Sequence, residues 1–214
     1  MIASRFPKLA SIGSRWEKAS NIPMAVLGLT YLAIYSIQVM YRDNYSLVTQ
    51  LEVVSISIFV IFAADVVFRF ATSISPLNFL KRNWLEIIAI TLPFLRVLRV
   101  FRVIIAIRGI KGFFQNRVNA TGAYILMLVP LTWFTGAIAV LDAESSNPNA
   151  LITNLREALW WSLSTITTVG YGDRYPTTLE GELVAAVLMI TGIALFSAGA
   201  GMFASWILAD KKKI

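Results

Sequence analysis

The chain has 214 residues, of which 57% are hydrophobic, and its mean hydropathy of +0.69 is too high for a soluble domain of this length. It contains no cysteine and no histidine, which excludes disulfides and removes the commonest metal ligand and proton switch of neutral pH. Most of the basic residues behind the net charge of +7 lie at the ends of apolar segments or in one spaced array, a pattern typical of membrane topology rather than nucleic-acid binding. We therefore expect a multi-pass membrane protein. The sequence contains no recognisable pair of a nucleophile and a general base, so an enzyme is not expected.

The amino-terminal half contains a basic segment and four apolar segments. Residues 1–21 are expected to lie along the inner membrane surface, uncleaved, because a long apolar run without an evident cleavage site follows them. The predicted spans occupy residues 22–40 and 51–70, a third run begins at residue 84, and a fourth follows Pro93. Residues 22–107 thus form one predicted domain, and the basic, glycine-containing residues 108–119 predict an interfacial linker helix.

Residues 120–209 form a second predicted domain, and residues 210–214 a basic cytoplasmic end. The second domain contains a span at residues 120–141, an acidic turn-rich loop, a short amphipathic helix at residues 154–165 and a last span at residues 183–208. Asn154 with Glu157, three positions later, matches a capping box and predicts where the short helix begins.

Residues 164–173, Ser-Thr-Ile-Thr-Thr-Val-Gly-Tyr-Gly-Asp, directly follow this short helix. Gly170 and Gly172 allow backbone angles that other residues resist, so successive carbonyls can turn toward one axis, and the Thr168 hydroxyl can add a ring of oxygens at the inner end. Rings of carbonyls from four chains can replace the hydration shell of a potassium ion. The alternative is an ordinary Gly-Asp turn, but the position between two apolar runs and after an amphipathic helix argues against it.

This segment resembles the selectivity-filter signature of potassium channels, and nearly the whole chain resembles the voltage-gated potassium channel family of the prokaryotic six-transmembrane-helix type. The resemblance implies an all-α membrane protein with six transmembrane helices, a re-entrant pore loop between the fifth and sixth, a four-helix voltage-sensor-like domain and a pore domain. Because the chain holds one filter, a homotetramer is expected, with three identical subunits as partners. Membrane lipids are further partners, with anionic lipids as candidates, and nucleic acid is not.

No cofactor is expected other than potassium ions bound at the filter residues Thr168, Val169, Gly170 and Tyr171, with Gly172 completing the filter. The distribution of lysine and arginine predicts a cell-membrane protein with both termini cytoplasmic and the filter opening outward.

The same resemblance assigns supporting residues around the filter. Trp160, Trp161, Ser164 and Asp173 are expected to brace it, with the indole of Trp161 donating to Asp173. Gly192 matches the gating hinge of the last span, although the Ser-Ala-Gly-Ala-Gly stretch after it lacks the proline motif of animal relatives and small residues also serve close helix packing. Tyr175 matches a site for external quaternary ammonium blockers.

Charged residues within apolar spans are costly and favour a functional role. By resemblance, Phe62 is a hydrophobic plug, Asp65 and Glu86 are the countercharges of a charge-transfer site, and Arg96, Arg99 and Arg102 are gating charges. Two alternatives stay open. Arg69, four residues after Asp65, can pair with it as a plain helix salt bridge. The arginine array can also be an amphipathic helix that binds anionic lipid.

The sequence departs from the usual sensor in two places. Ile105 interrupts the arginine series, and only residues 93–95 separate the third helix from Arg96. Residues 84–95 would form a helix of roughly 18 Å, too short for a hydrocarbon core of roughly 30 Å, so the turn is expected within the membrane thickness.

These features predict a potassium-selective channel that opens on depolarisation. A channel gated by a ligand, such as a cyclic nucleotide, through a domain outside this chain is the alternative. A secondary transporter is less favoured, since no internal repeat is evident.

Overall fold

The computed structural model describes residues 7–73, 75–84, 87 and 120–210. All regular elements within these ranges are helices. Contacts within the chain define two compact units, Met1–Gln115 and Asn116–Ile214. Glu86, the arginine array and the predicted linker at residues 108–119 lie outside the described residues, as do residues 211–214.

The first unit contains helices α1 (Pro7–Met40), α2 (Tyr45–Ala71) and α3 (Pro76–Arg82). A four-residue connection joins α1 to α2, and the Asn44 side chain begins α2 by accepting the Leu47 N–H at 3.2 Å. The two long helices contact each other, and both carry buried aromatic and aliphatic side chains, among them Tyr31, Tyr35, Ile58 and Phe62. This core holds the amino-terminal helix pair together.

Two features of this unit differ from the sequence-based expectation. Helix α1 begins at Pro7, so residues 7–21 continue the first span as one helix instead of forming a separate segment. A span that began at residue 22 would have Pro23 in its first turn, but Pro23 lies inside α1, where it removes one helical hydrogen bond. The short helix α3 was not predicted, although Ser75 followed by Pro76 at the first helical position is a recognisable start signal.

The second unit contains α4 (Ala120–Glu144), α5 (Leu155–Ile166) and α6 (Leu179–Asp210). Helix α4 packs against both α5 and α6. At Gly136 of α4 an added Cβ would lie 3.0 Å from the Leu188 side chain of α6, so the small residue permits this close approach. Helix α5 has 12 residues and a length of about 18 Å, which makes it a short helix held between two long ones.

Four described helices contain segments that are long and apolar enough to cross a membrane: Arg15–Met40, Tyr45–Ala71, Met127–Glu144 and Leu179–Leu208. They correspond to the first, second, fifth and sixth predicted spans. The predicted third and fourth spans lie almost entirely outside the described residues.

Candidate functional site

The loop that leaves α5 has an alternating backbone. Thr168, Gly170 and Gly172 have φ angles of 62°, 59° and 76°, so every second residue is left-handed. In an ordinary β-strand, successive carbonyls point in opposite directions, whereas alternating handedness lets them face the same side. A common β-turn has at most two adjacent left-handed residues, which argues against the simple turn interpretation. The backbone therefore suits a row of carbonyl ligands.

Thr168 is the unexpected member of this series. A β-branched residue with positive φ costs on the order of 1–3 kcal/mol and persists only where neighbouring contacts hold it. Here the Thr168 N–H donates to the Thr165 carbonyl at 3.0 Å, and the Val169 and Gly170 N–H groups donate to the Ser164 carbonyl at 2.9 and 3.1 Å. The last turn of α5 thus holds the first half of the loop.

Side-chain hydrogen bonds fix the start of helix α5. The Asn154 side chain accepts the Glu157 N–H at 3.1 Å, as the capping box predicted, but Glu157 reaches back to the Thr153 N–H at 2.8 Å, one residue beyond the box position. The backbone hydrogen bond from Thr153, aided by its hydroxyl and by Arg174, holds the pKa of Glu157 below its ordinary 4.5. This contribution to stability is present above that ordinary pKa and is lost as pH falls through the lowered one.

The carboxyl end of α5 carries roughly half a negative charge, and it points at the start of the loop, where it favours a cation.

Trp160 links α5 to the far end of the loop. Its indole Nε1 donates to Asp173 Oδ2 at 2.9 Å, and its ring stacks on Tyr171 with centroids 5.1 Å apart and planes at 10°. The prediction that Trp161 donates to Asp173 was wrong. Successive residues of a helix point about 100° apart, so only one of two adjacent indoles can face this aspartate. Trp161 instead lies on the buried face of α5 with Ala158 and Thr165.

Ser164 supports the loop through its backbone. Its hydroxyl turns back to the Trp161 carbonyl at 2.9 Å, while its own carbonyl accepts the two loop amides. From α4, Trp133 Nε1 donates to the Leu159 carbonyl at 2.9 Å and fixes α5 against that helix.

Arg174 forms an ion pair with Glu157 beside the loop. Its Nη2 lies 3.1 Å from Glu157 Oε1, so the cation that follows Asp173 is partly compensated by an acid of α5. Both side chains line a cavity of about 600 Å³ together with Trp133 and Trp160. Tyr175, next in the chain, is 56% exposed.

Glu144, at the end of α4, is a residue whose role sequence reasoning missed. It is fully buried, and its carboxylate accepts from the Thr177 N–H at 2.9 Å, from the Thr178 N–H at 2.8 Å, and from both hydroxyls. A negative charge at a helix carboxyl end is unfavourable, and these four donors offset it. An added Cβ on Gly181 would lie 2.5 Å from Glu144 Oε1, which leaves no room for a side chain there. The segment after the loop is thereby fixed to α4.

Gly192 lies where α6 passes the end of α5. Helix α6 is continuous through this position, and an added Cβ would lie 2.6 Å from the Ile166 carbonyl oxygen. Close helix packing therefore explains this glycine directly, and its role as a hinge stays a prediction.

In the first unit, Phe62 and Asp65 lie one turn apart on α2 and both are buried. Asp65 Oδ2 accepts from Arg69 Nε at 2.8 Å, which is the helix salt bridge considered as an alternative. Its Oδ1 accepts from Trp16 Nε1 at 2.9 Å. Within the described residues, the structure places Phe62 and Asp65 of the predicted charge-transfer site together. Glu86, Arg96, Arg99 and Arg102 lie outside those residues.

A short helix that ends in a carbonyl loop, packed between two long apolar helices, defines the pore domain of an ion channel. Residues 126–209 match a family model described as "Ion channel". This part of the chain belongs to the ion channel family rather than to a family of enzymes. Relatives that match more of the chain are named as voltage-gated potassium channels or their subunits, and the four candidate spans agree with a multi-pass membrane protein.

Three relatives illustrate the range of similarity. The voltage-gated potassium channel of Aeropyrum pernix is 28% identical over 224 residues, covering 90% of this chain and 76% of that protein. The human voltage-gated potassium channel regulatory subunit KCNG3 is 29% identical over 173 residues, covering 64% of this chain and 39% of that protein. The rat potassium voltage-gated channel subfamily KQT member 3 is 38% identical over 65 residues, or 7% of its length. This chain thus spans less than half of the two animal relatives.

Proposed function

We propose that four copies of this chain assemble into a potassium-selective channel, with the loops at residues 168–172 as its filter. The observation that carries the proposal is the left-handed backbone at Thr168, Gly170 and Gly172 within the sequence Thr-Val-Gly-Tyr-Gly. One chain supplies a single row of carbonyls, and a dehydrated ion needs oxygens on all sides. Four rows around one axis meet that need.

The electrostatics of α5 support the same arrangement. Four helix ends, each with roughly half a negative charge, would together place about two negative charges near the inner end of the filter. Apolar residues of α6, among them Ile190, Phe196 and Phe203, are more than 60% exposed on the single subunit. Other subunits, lipid and the pore would surround this surface in the assembly.

Flux into vesicles tests this proposal. The purified protein, reconstituted in lipid vesicles, is expected to conduct potassium and to exclude sodium, and cross-linking should yield a ladder that ends at four copies of the 23.7 kDa chain. Equal entry of both ions into vesicles that contain the cross-linkable tetramer would refute potassium selectivity.

We further propose six transmembrane helices, cytoplasmic termini, an outward-facing filter and gating by voltage. The arginines at every third position of residues 96–102 support voltage gating, as does the buried Asp65 one turn from Phe62. Three arginines in each of four subunits give twelve charges, whose full movement would supply at most about 28 kcal/mol per 100 mV. Partial movement therefore suffices, and the short connection at residues 93–95 favours a restricted stroke.

Neutralising a gating charge is expected to change voltage dependence. Arg99→Gln and Arg102→Gln should each shift the activation midpoint and reduce its slope, because each removes charge that crosses the field. Arg42→Gln, in the exposed connection between α1 and α2, is the matched control and should leave both unchanged. Conductance–voltage curves measured at equal expression decide the matter, and superimposable curves for all four proteins would mean that the array does not sense voltage.

Block by external tetraethylammonium is expected to depend on Tyr175. Four exposed rings at the outer mouth can form a cation–π cage, and the Arg174–Glu157 pair reduces the repulsion from the neighbouring cation. Tyr175→Val should weaken block about tenfold, which corresponds to roughly 1.4 kcal/mol. Tyr45→Val, an exposed tyrosine of the other unit, serves as control. Equal block of wild type and Tyr175→Val would rule out the cage.

A further inference from the structure

The helical extension before the first span packs on the last turns of α2. The ring centroids of Trp16 and Phe68 lie 5.1 Å apart, and the two ring planes form an angle of 59°. An added Cβ on Gly13 would lie 2.6 Å from Thr72 Oγ1, so the two helices almost touch one turn away. Residues 13–16 of α1 are therefore part of the packing around Asp65.

Both carboxylate oxygens of Asp65 receive a donor within this packing. Trp16 Nε1 donates to Oδ1 at 2.9 Å, and Arg69 Nε donates to Oδ2 at 2.8 Å. Arg69 also lies over the Phe79 ring of α3, with 5.6 Å between its Cζ and the ring centroid. Asp65 and Arg69 are each only 5% exposed, so little water screens the carboxylate. Among the described residues, the cationic Arg69 and the neutral Trp16 thus help to fix its orientation.

We propose that Trp16 is a positioning residue for Asp65 and that its indole N–H tunes how strongly this acid attracts the sensor arginines. The inference rests on the proposed voltage gating and deepens it. A guanidinium binds a carboxylate best through two parallel hydrogen bonds, one to each oxygen. The indole occupies acceptor capacity on Oδ1 and draws off part of its negative potential. An arginine that arrives beside Asp65 therefore binds less tightly than it would beside a carboxylate free of the indole.

The sign of the effect follows from this geometry. Removing the indole N–H while retaining an aromatic ring makes Asp65 a better acceptor, so the sensor state with an arginine beside it gains population. Asp65→Asn removes the charge and depopulates the same state. The two substitutions should accordingly move the activation midpoint in opposite directions. A Trp16 that only anchors α1 would affect yield or thermal stability and leave the midpoint unchanged at matched expression.

The test compares conductance–voltage curves of the full-length channel in wild type, Trp16→Phe, Asp65→Asn and the double variant. Trp16→Phe should change the open-to-closed ratio at the wild-type midpoint about five- to tenfold, with a sign opposite to that of Asp65→Asn. Its effect should shrink in the double variant, because the charge on which it acts is gone. Tyr45→Phe removes a polar group from the other end of α2, and no shift is expected.

A second substitution keeps the test decisive if Trp16→Phe fails to assemble. Replacing Trp16 with 3-benzothienylalanine exchanges the N–H for sulfur in a ring of nearly the same shape, which preserves the contact with Phe68 and should give the same shift. A midpoint unchanged by either substitution, or moved in the direction of Asp65→Asn, overturns the inference while voltage gating stands. A wild-type channel without voltage dependence overturns the voltage-gating proposal and this inference together.

Discussion

Replacing Gly172 with alanine is expected to abolish or severely reduce potassium selectivity. Gly172 has a φ of +76°, and an L-residue in left-handed backbone costs roughly 1–2 kcal/mol, incurred four times around the proposed ring. Space is not the obstacle, because an added Cβ would meet no atom within 4 Å in the subunit. Relief of the strain would rotate the neighbouring peptide and turn a carbonyl away from the axis. Selectivity, rather than folding, should therefore fail first.

The permeability ratio of potassium to sodium, obtained from reversal potentials, measures this effect. Gly201→Ala is the matched control, since an added Cβ there also meets nothing within 4 Å but the residue lies in helix α6. The control should retain wild-type selectivity. Unchanged selectivity in Gly172→Ala would contradict the assignment of its carbonyl to the filter.

Of the substitutions proposed for this protein, replacement of Glu144 is expected to lower the free energy of unfolding most. Glu144→Gln keeps the shape of the side chain but turns an amide NH₂ toward buried N–H and hydroxyl donors of Thr177 and Thr178. Hydrogen bonds to a charged group contribute about 1.5–3 kcal/mol each, so the loss of two should cost about 3–6 kcal/mol per subunit. Glu144→Ala should cost at least as much, because it also leaves a cavity.

Thermal unfolding of the assembled protein in detergent measures this loss. Glu182→Gln removes an exposed acid from the first turn of α6, and its effect should stay below about 1 kcal/mol. If Glu144→Gln melted together with the Glu182 control, the four hydrogen bonds would not fix the segment after the filter.

The carbonyl loop could be predicted from sequence because its left-handed backbone requires particular residue types. Gly170 and Gly172 stand at alternate positions, and glycine is the residue that left-handed backbone favours. Thr168 completes the series against its own preference. Its φ depends on hydrogen bonds between the loop and the last turn of α5, three to six positions earlier, and the conformational propensity of threonine does not reveal them.

The adjacent tryptophans were assigned in the wrong order for a related reason. Trp160 and Trp161 are identical in type, and the rotation of α5 about its axis decides which indole faces Asp173. That rotation is fixed by the buried face of the helix and by the bond from Trp133 to the Leu159 carbonyl. A residue pattern alone does not contain it.

Long-range pairings account for the other differences. Glu144 follows an apolar span, where the sequence predicts only an acidic loop, yet its hydrogen-bond partners lie 33 and 34 positions later. The polar residues at the start of α1 likewise do not indicate that the helix begins at Pro7. Nor do they indicate that Trp16 donates a hydrogen bond to Asp65, 49 positions away. Spans and caps depend on neighbouring residues and were therefore recognisable, whereas these contacts depend on the folded chain.

Bi-ionic reversal potentials of single channels in planar bilayers measure directly whether the loop at residues 168–172 selects potassium. With potassium on one side and an equal concentration of sodium on the other, we expect a reversal potential far from zero, with the sign set by the potassium gradient. Exchange of the two solutions should reverse that sign. A reversal potential near zero, recorded from protein whose four-copy assembly has been verified by cross-linking, would show that this loop does not select potassium over sodium.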